Sequence, residues 1–337
     1  MNPARRLAPC SAFTRSFPHD MHNGSPRFRG LRACWILALT LGFIGAFVPL
    51  PAALAQSTKI FVASFGNDAN DGSRGAPKRN FQAAHDAVAA GGEVVALDTA
   101  GYGAMTITKS VGITAPAGIT GFITVTSGDA VAVNAASTDT VILRGLTLNS
   151  PTGVTIGVAV SSVGTLEVNS CVLNGFNNNS GINLFPSSAV TCLVKNSTVR
   201  DCSTGISVSN FATGAIKLVI DGCRLKSNVL GVNVGAATSF AQRVELRDTL
   251  VTATSNTGVR VNGANNRVVL QGCTLSGNTA ALALFDSGAT AKLDNCVVTN
   301  NTTGLNRIAG ANLLSRGNNT VENNGTDGTF SGNYSAK

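Results

Sequence analysis

The chain has 337 residues, 12% of them charged, and a formal net charge of +8. Six of the 25 basic residues but only one of the 17 acidic ones fall in residues 1–55, so residues 56–337 hold 19 against 16, a net of about +3. That near balance removes the case for nucleic-acid binding, and 282 residues suffice for one large core.

Residues 1–55 read as a leader rather than as part of a fold. Arg27, Arg29 and Arg32 precede an apolar run over residues 33–50, and an Ala53-x-Ala55 site follows. This order specifies a secretory signal peptide cleaved after Ala55, so the mature chain is expected to be exported, periplasmic or extracellular, with no membrane span after cleavage. A transmembrane anchor is the weaker alternative, because the run is barely long enough and ends in Pro49 and Pro51. Met21 offers a second start that still gives a complete leader, and Arg5-Arg6 lies too far from the apolar run to argue for twin-arginine export.

Residues 56–99 are expected to form an N-terminal strand and a capping helix. A strand over 60–63 is followed by a polar loop over 66–77. Asn80 then reads as the N-cap of a short helix with Phe81, Ala84 and Val88 on one face, ended by Gly91-Gly92. A strand over 94–97 follows, and the helix is expected to cover the apolar end of the first coil. Asp68, Asn70, Asp71 and Gly72 suggest a calcium loop in composition but not in ligand spacing, so a polar turn is preferred. His85, the one histidine outside the leader, has no acid and nucleophile partner in the sequence and reads as a surface or cap-packing residue.

Residues 100–311 carry the coils. Strand candidates lie at 105–108, 122–125, 130–133 and 141–148, after which one phrase recurs: LEVNSCVL, KLVIDGCRL, RVVLQGCTL and KLDNCVV. Aligned on Cys171, its slot falls on Ser197, Cys223, Thr249, Cys273 and Cys296, at spacings of 26, 26, 26, 24 and 23 residues, with Leu146 one coil earlier. Such a period marks a solenoid. Apolar residues alternate within the phrase, as Leu218, Ile220, Cys223 and Leu225 do around the extra Gly222, so the unit is a strand. A second short strand opens on glycine about ten residues later, at Gly181, Gly205, Gly231 and Gly258. Units of short strands without 3.6 periodicity predict an all-β, single-stranded parallel β-helix of roughly 9–10 coils, about 45 Å long. Residues 312–337 read as a final coil and a polar C-terminal tail that discourages end-to-end stacking.

Equivalent slots stack into columns. Leu166, Cys192, Leu218, Val244, Val268 and Ala291 form one inward column; Val168, Val194, Ile220, Leu246, Leu270 and Leu293 form another. The Cys171 column holds small residues suited to a narrow coil. Its cysteines are expected as buried thiols, a Cys273–Cys296 bridge being the alternative, and no CxxC pair or histidine set supports a metal. A turn column over Asn178, Cys202, Asn228, Ser255, Asn278 and Asn301 predicts stacked amides, with Asn256 and Asn300 in the same turns.

The opening VASFGNDANDGS…P…NFQAAHDAV…GGEVVAL…GYG…ITKSVGI, with the coils behind it, resembles the right-handed parallel β-helix proteins of the pectate-lyase-like superfamily over essentially all of residues 58–337. The resemblance implies the right-handed fold and an Asn ladder, and it implies that a catalytic set, where one exists, lies on an outer sheet face. The outward column Asn169, Lys195, Asp221, Arg247, Gln271, Asp294, flanked by Glu167, Glu245, Asp248 and Lys292, is the one place for such a set. A lyase needs a cation to offset a uronate and a base, which Lys195, Asp221 and Arg247 could supply; a hydrolase needs paired carboxylates, with Asp294 the remaining candidate. Against this stands a ladder of exposed ion pairs. The family's Asp-rich and His-containing motifs are absent, and Tyr102, Tyr334 and ten phenylalanines are few platforms for sugar. The preferred reading is an exported, non-catalytic scaffold or surface that binds glycans or envelope proteins, without cofactor or metal. The alternative is a polysaccharide lyase or glycoside hydrolase.

Overall fold

The computed structural model describes residues 56–153, 155–236 and 240–335; the expected leader lies outside them. Three parallel sheets wrap one core as a right-handed β-helix. Each coil contributes one strand to each sheet, as Thr165–Asn169 does to sheet A, Val172–Asn174 to sheet B and Ser180–Leu184 to sheet C. The sheets hold 12, ten and nine strands respectively, so the chain completes nine full turns.

The repeated phrase is therefore two strands, not one. Its strands meet at a corner where one residue per coil adopts a left-handed backbone: Ser170 (φ 54°), Asn196 (50°), Gly222 (59°), Asp248 (43°), Gly272 (62°) and Asn295 (50°). Gly145 (φ 70°) does the same one coil earlier and splits the strand expected over 141–148 into Thr140–Arg144 and Leu146–Asn149. A second left-handed column, which includes Asp201, Ser227, Ala253, Gly277, Asn300 and Asn323, turns the chain from sheet B into sheet C. Non-glycine residues incur about 1–2 kcal/mol in this region, so the corners need compensation.

Compensation comes from the residue after each bend. Left-handed bending turns its N–H out of the sheet ladder, and the equivalent side chain of the next coil accepts it. Cys171 N donates to Ser197 Oγ at 3.1 Å, Cys223 N to Thr249 Oγ1 at 3.3 Å and Cys296 N to Asn319 Oδ1 at 2.8 Å. Sulfur closes the remaining rungs: Leu146, Ser197, Thr249 and Cys273 donate their N–H groups to Cys171, Cys223, Cys273 and Cys296. Each slot side chain also donates to a carbonyl two residues back, as Ser197 Oγ does to Lys195 O at 2.8 Å and Cys223 Sγ to Asp221 O at 3.3 Å. The cysteine column is thus an acceptor ladder, which is why Ser and Thr replace Cys within it.

The second corner uses amides. Asn278 N donates to Asn301 Oδ1 at 2.9 Å and Asn301 N to Asn324 Oδ1 at 3.0 Å, while their Nδ2 groups donate to Val251 O and Leu275 O. Strand register corrects the expected column at two slots. Arg200 pairs with Asn174, and Thr252 with Lys226, which puts the buried Phe176 and Thr254 in the slots; Asn178 and Ser255 lie two and one residues further on, exposed. Asn324 continues the column where no member was expected.

The inward columns stack as the alternation requires, Leu166 to Cys192 to Leu218 and Val168 to Val194 to Ile220, all fully buried. All six cysteines of the described residues are free and buried, so the Cys273–Cys296 bridge is not formed. Burial pushes the thiols of Cys171 and Cys192 up to about 11 and about 12, and a hydrogen bond to Cys296 together with burial holds Cys273 protonated. Glycines opening the sheet C strands permit close approach of neighbouring coils: a Cβ at Gly231 would lie 2.4 Å from Gly258 O.

The N-terminal helix, Phe81–Ala87, packs on Lys59–Val62, Gly92–Ala96 and Met105–Ile107, with Phe81, Ala84 and Val88 buried and Phe81 against Tyr102 at 4.8 Å. It ends at Ala87, with Val88 N–H bonded to Ala84 O, ahead of the expected Gly91. Asn80 occupies the N-cap, but its side chain makes no cap bond and donates to Asp68 Oδ2 at 2.6 Å. Asp68 Oδ1 accepts the N–H groups of Arg79 and Asn80 at 2.8 and 2.9 Å. The polar turn over these residues contains a cation of its own: Lys78 Nζ, on a residue 8% exposed, donates to Asp68 O at 2.9 Å and Asn70 O at 2.6 Å. His85 is 2% exposed; its Nε2 accepts Thr108 N–H at 3.2 Å, which leaves Nδ1 to donate to Asp86 Oδ1 at 3.0 Å. At the other end, Gly332–Asn333 adds a last strand to sheet A beside Asn312–Ser315, and Tyr334 Oη donates to Leu293 O, so little of the expected tail is left over.

Two stability measurements follow from these contacts. Asn278→Ala strands corner N–H and C=O groups and should cost about 2 kcal/mol, whereas Cys223→Ser keeps donor and acceptor and should cost less than about 1 kcal/mol, read by denaturant unfolding. Burial alone would raise the Asp68 carboxyl, but the donors of Asn80 and Arg79 outweigh it and hold it below the usual range. Its contribution is therefore complete above a pH of about 4 and lost as pH falls through the depressed value, so Asp68→Ala should flatten the acid limb of stability against pH.

Candidate functional site on the outer face of sheet A

Sheet A presents three outward columns, because side chains alternate along its parallel strands. The column expected from the sequence stacks in register: Asn169 beside Lys195, then Asp221, Arg247, Gln271 and Asp294. Lys195, Asp221 and Arg247 are thus one rung apart, about 4.8 Å. Asp294 stands three rungs from Asp221, about 14 Å away, which exceeds the carboxyl separation of either retaining or inverting glycosidases.

The ion pairs do not run straight down this column. Lys195 Nζ reaches diagonally to Glu167 Oε1 at 2.9 Å, and Arg247 Nε bonds Glu245 Oε1 of its own strand at 2.8 Å. Asp294 pairs within the column, but with Arg316 Nη1 at 2.5 Å and Asn318 Nδ2 at 2.8 Å, neither of which was singled out from the sequence. Those two donors, Asn318 first, hold the Asp294 carboxyl below the usual carboxylate range. Glu245 beside Arg247 raises the guanidinium further above its ordinary value, the opposite of what a Brønsted base requires. Asp221 forms no ion pair among the described residues.

The sequence reading missed the column on the opposite margin of the sheet. Lys217 pairs in register with Arg243, and Arg243 with Arg267. All three are exposed, and none forms a salt bridge among the described residues. Arg267 is steadied by backbone carbonyls, its Nη1 donating to Asn266 O at 3.1 Å and Gly288 O at 3.2 Å. Between the two charged columns run Leu193, Val219 and Val269, half-buried, interrupted by Glu167 and Glu245. Lys217, Arg243 and Arg267 with Val219, Glu245 and Val269 line a shallow groove of about 210 Å³. A second depression of about 220 Å³, lined by Thr191, Ala215, Lys217 and Arg243, lies beside it. The signal that could have revealed this column is a basic residue one position before the first inward apolar residue in three successive coils, Lys217, Arg243 and Arg267.

On the six strands from Thr165–Asn169 to Thr290–Asp294, six cations face outward against four carboxylates, and three of those carboxylates are held in local ion pairs. The face can therefore hold a polyanion along its cationic margin, with aliphatic surface beside it. Among the described residues no group of three or more His, Cys, Asp and Glu converges as metal ligands would, and no helix is long and apolar enough to cross a membrane.

Comparison with known proteins agrees with this architecture. Residues 129–326 match the family described as right handed beta helix region. The crystal structure of pectate lyase Pel9A superposes with a TM-score of 0.51 at 15% sequence identity, over 76% of this chain and 74% of that one. No curated protein matches the chain.

If the outward column were catalytic, Asp221→Ala and Arg247→Ala would each lower turnover on a uronate polymer at least 100-fold, measured by absorbance of unsaturated products and by new reducing ends. With Lys195, Arg247 and Asp294 engaged in ion pairs, the expected outcome is that neither substitution changes whatever turnover the wild-type protein shows.

Proposed function

The chain belongs to the right-handed β-helix family, and we propose that within it this protein is an exported, non-catalytic binder of acidic polysaccharide. The observation that carries the reading is the cation column Lys217, Arg243 and Arg267, exposed and without a salt bridge among the described residues, at the edge of a groove floored by Val219 and Val269, whose one carboxylate, Glu245, is paired with Arg247. Its rungs repeat at about 4.8 Å, so an extended polyanion lying along this margin meets a cation at each of three successive rungs. Export is supported by the signal-peptide pattern that the sequence carries over residues 1–55. Lack of catalysis is supported by the separation of Asp221 from Asp294 and by the engagement of Lys195 with Glu167 and Arg247 with Glu245.

The enzyme reading keeps one observation in its favour, the fold shared with a pectate lyase. Asp221, without an ion pair among the described residues, would be its first residue to test.

Binding carried by three exposed cations depends on salt. Affinity for polygalacturonate should fall at least tenfold when Lys217, Arg243 and Arg267 are together replaced by Gln, and should weaken steadily as salt rises. Isothermal titration at several ionic strengths checks both. Binding that ignores the triple substitution would remove the proposal.

A further inference from the structure

The turns from sheet C back to sheet A carry a further polar depression, which shares no lining residue with the cation groove. It measures about 420 Å³ and is lined by Asn210, Asn233, Arg260, Asn262 and Asp286, with Leu230 and the backbone of Gly235 and Ala236. This size lies within the range of sites that enclose small organic ligands. Asn233 and Arg260 are neighbours in register on sheet C, so strands rather than loops fix two of its side chains.

A hydrogen-bond relay sets the direction of the polar groups. Arg260 Nε donates to Asn262 Oδ1 at 3.4 Å, and Asn262 Nδ2 donates to Asn233 Oδ1 at 3.5 Å. The relay uses one Arg260 donor and the Asn233 oxygen, and it leaves the terminal guanidinium nitrogens and Asn233 Nδ2 as donors. Asp286 Oδ2 accepts Gly263 N–H at 2.5 Å, which leaves Oδ1 as an acceptor. Arg260 lies over the Phe285 ring at 4.7 Å, and Phe285 is 39% exposed. Phe211, next in the chain after Asn210, is 79% exposed.

We propose that this depression binds one or two residues of an uncharged saccharide. One guanidinium and one carboxylate nearly cancel, so the site selects for neither cation nor anion. Donors on Arg260 and Asn233 opposite an acceptor on Asp286 match vicinal hydroxyls, each of which accepts one hydrogen bond and donates another. Phe285 precedes the lining residue Asp286 in the chain and Phe211 follows the lining residue Asn210; both are exposed, so each offers apolar surface beside the depression for the C–H face of a sugar ring. The site shares no lining residue with the cation groove and does not depend on the reading of it.

The test is titration of the mature protein with uncharged hexasaccharides of β-1,4-glucan, β-1,3-glucan, mannan, xylan and galactan. Affinity for at least one should survive high salt, fall at least tenfold in Arg260→Met and in Asn233→Ala, and stay unchanged in Arg243→Gln. Circular dichroism and melting of the variants separate loss of the site from loss of the fold, and Phe285→Leu, which keeps apolar volume, should weaken binding through loss of the ring alone. Failure of all five hexasaccharides to bind at millimolar concentration, or binding that Arg243→Gln and salt abolish instead, overturns the proposal.

Discussion

The fold depends on satisfying backbone N–H groups at two bends per coil. A parallel sheet supplies acceptors only while the strand stays extended, and each left-handed residue from Ser170 to Asn295 takes the next amide out of that supply. Leaving several such groups unmet would cost about 1–3 kcal/mol each, which a structure of marginal net stability could not absorb. The columns of Cys, Ser and Thr at one corner and of Asn at the other return the acceptor from the following coil. Because each rung needs the next coil in register, the same contacts that allow the bends also fix the stacking, and with it the alignment of every outward column.

This explains which parts of the architecture were legible in the amino-acid sequence. Period and inward alternation follow from burial, which selects strongly at Leu218 and Ile220, and both read correctly. The corners were less visible, because φ > 0 is reached by Gly222 and Gly272 but equally by Asn196, Asp248 and Asn295, which look like ordinary polar strand residues. Asn178 and Ser255 were assigned to the amide column because coil lengths vary by a residue or two, and only strand register shows that Phe176 and Thr254 fill the slots. Cysteine in this slot reads as a small filler, since an acceptor role for sulfur leaves no mark on spacing.

The outer face was harder. Residues on it are not selected by packing, so composition alone gives no order of importance. The column from Asn169 to Asp294 drew attention through its mixed charges, yet three of its charged members are engaged by Glu167, Glu245 and Arg316. Lys217, Arg243 and Arg267 drew none, although the register aligns them as a single cationic margin. Shared fold with a pectate lyase does not decide between binding and cleavage, because function resides in the side chains mounted on a scaffold. Here those side chains form a charged and aliphatic surface rather than an assembled acid–base pair.

The most direct measurement of the central claim is a crystal structure of the mature chain with a uronate hexasaccharide. An intact hexasaccharide, its carboxylates seated along Lys217, Arg243 and Arg267 and its sugar rings over Val219 and Val269, is the predicted result. Sugar bound elsewhere on the β-helix, or a cleaved product centred on Asp221, would contradict it.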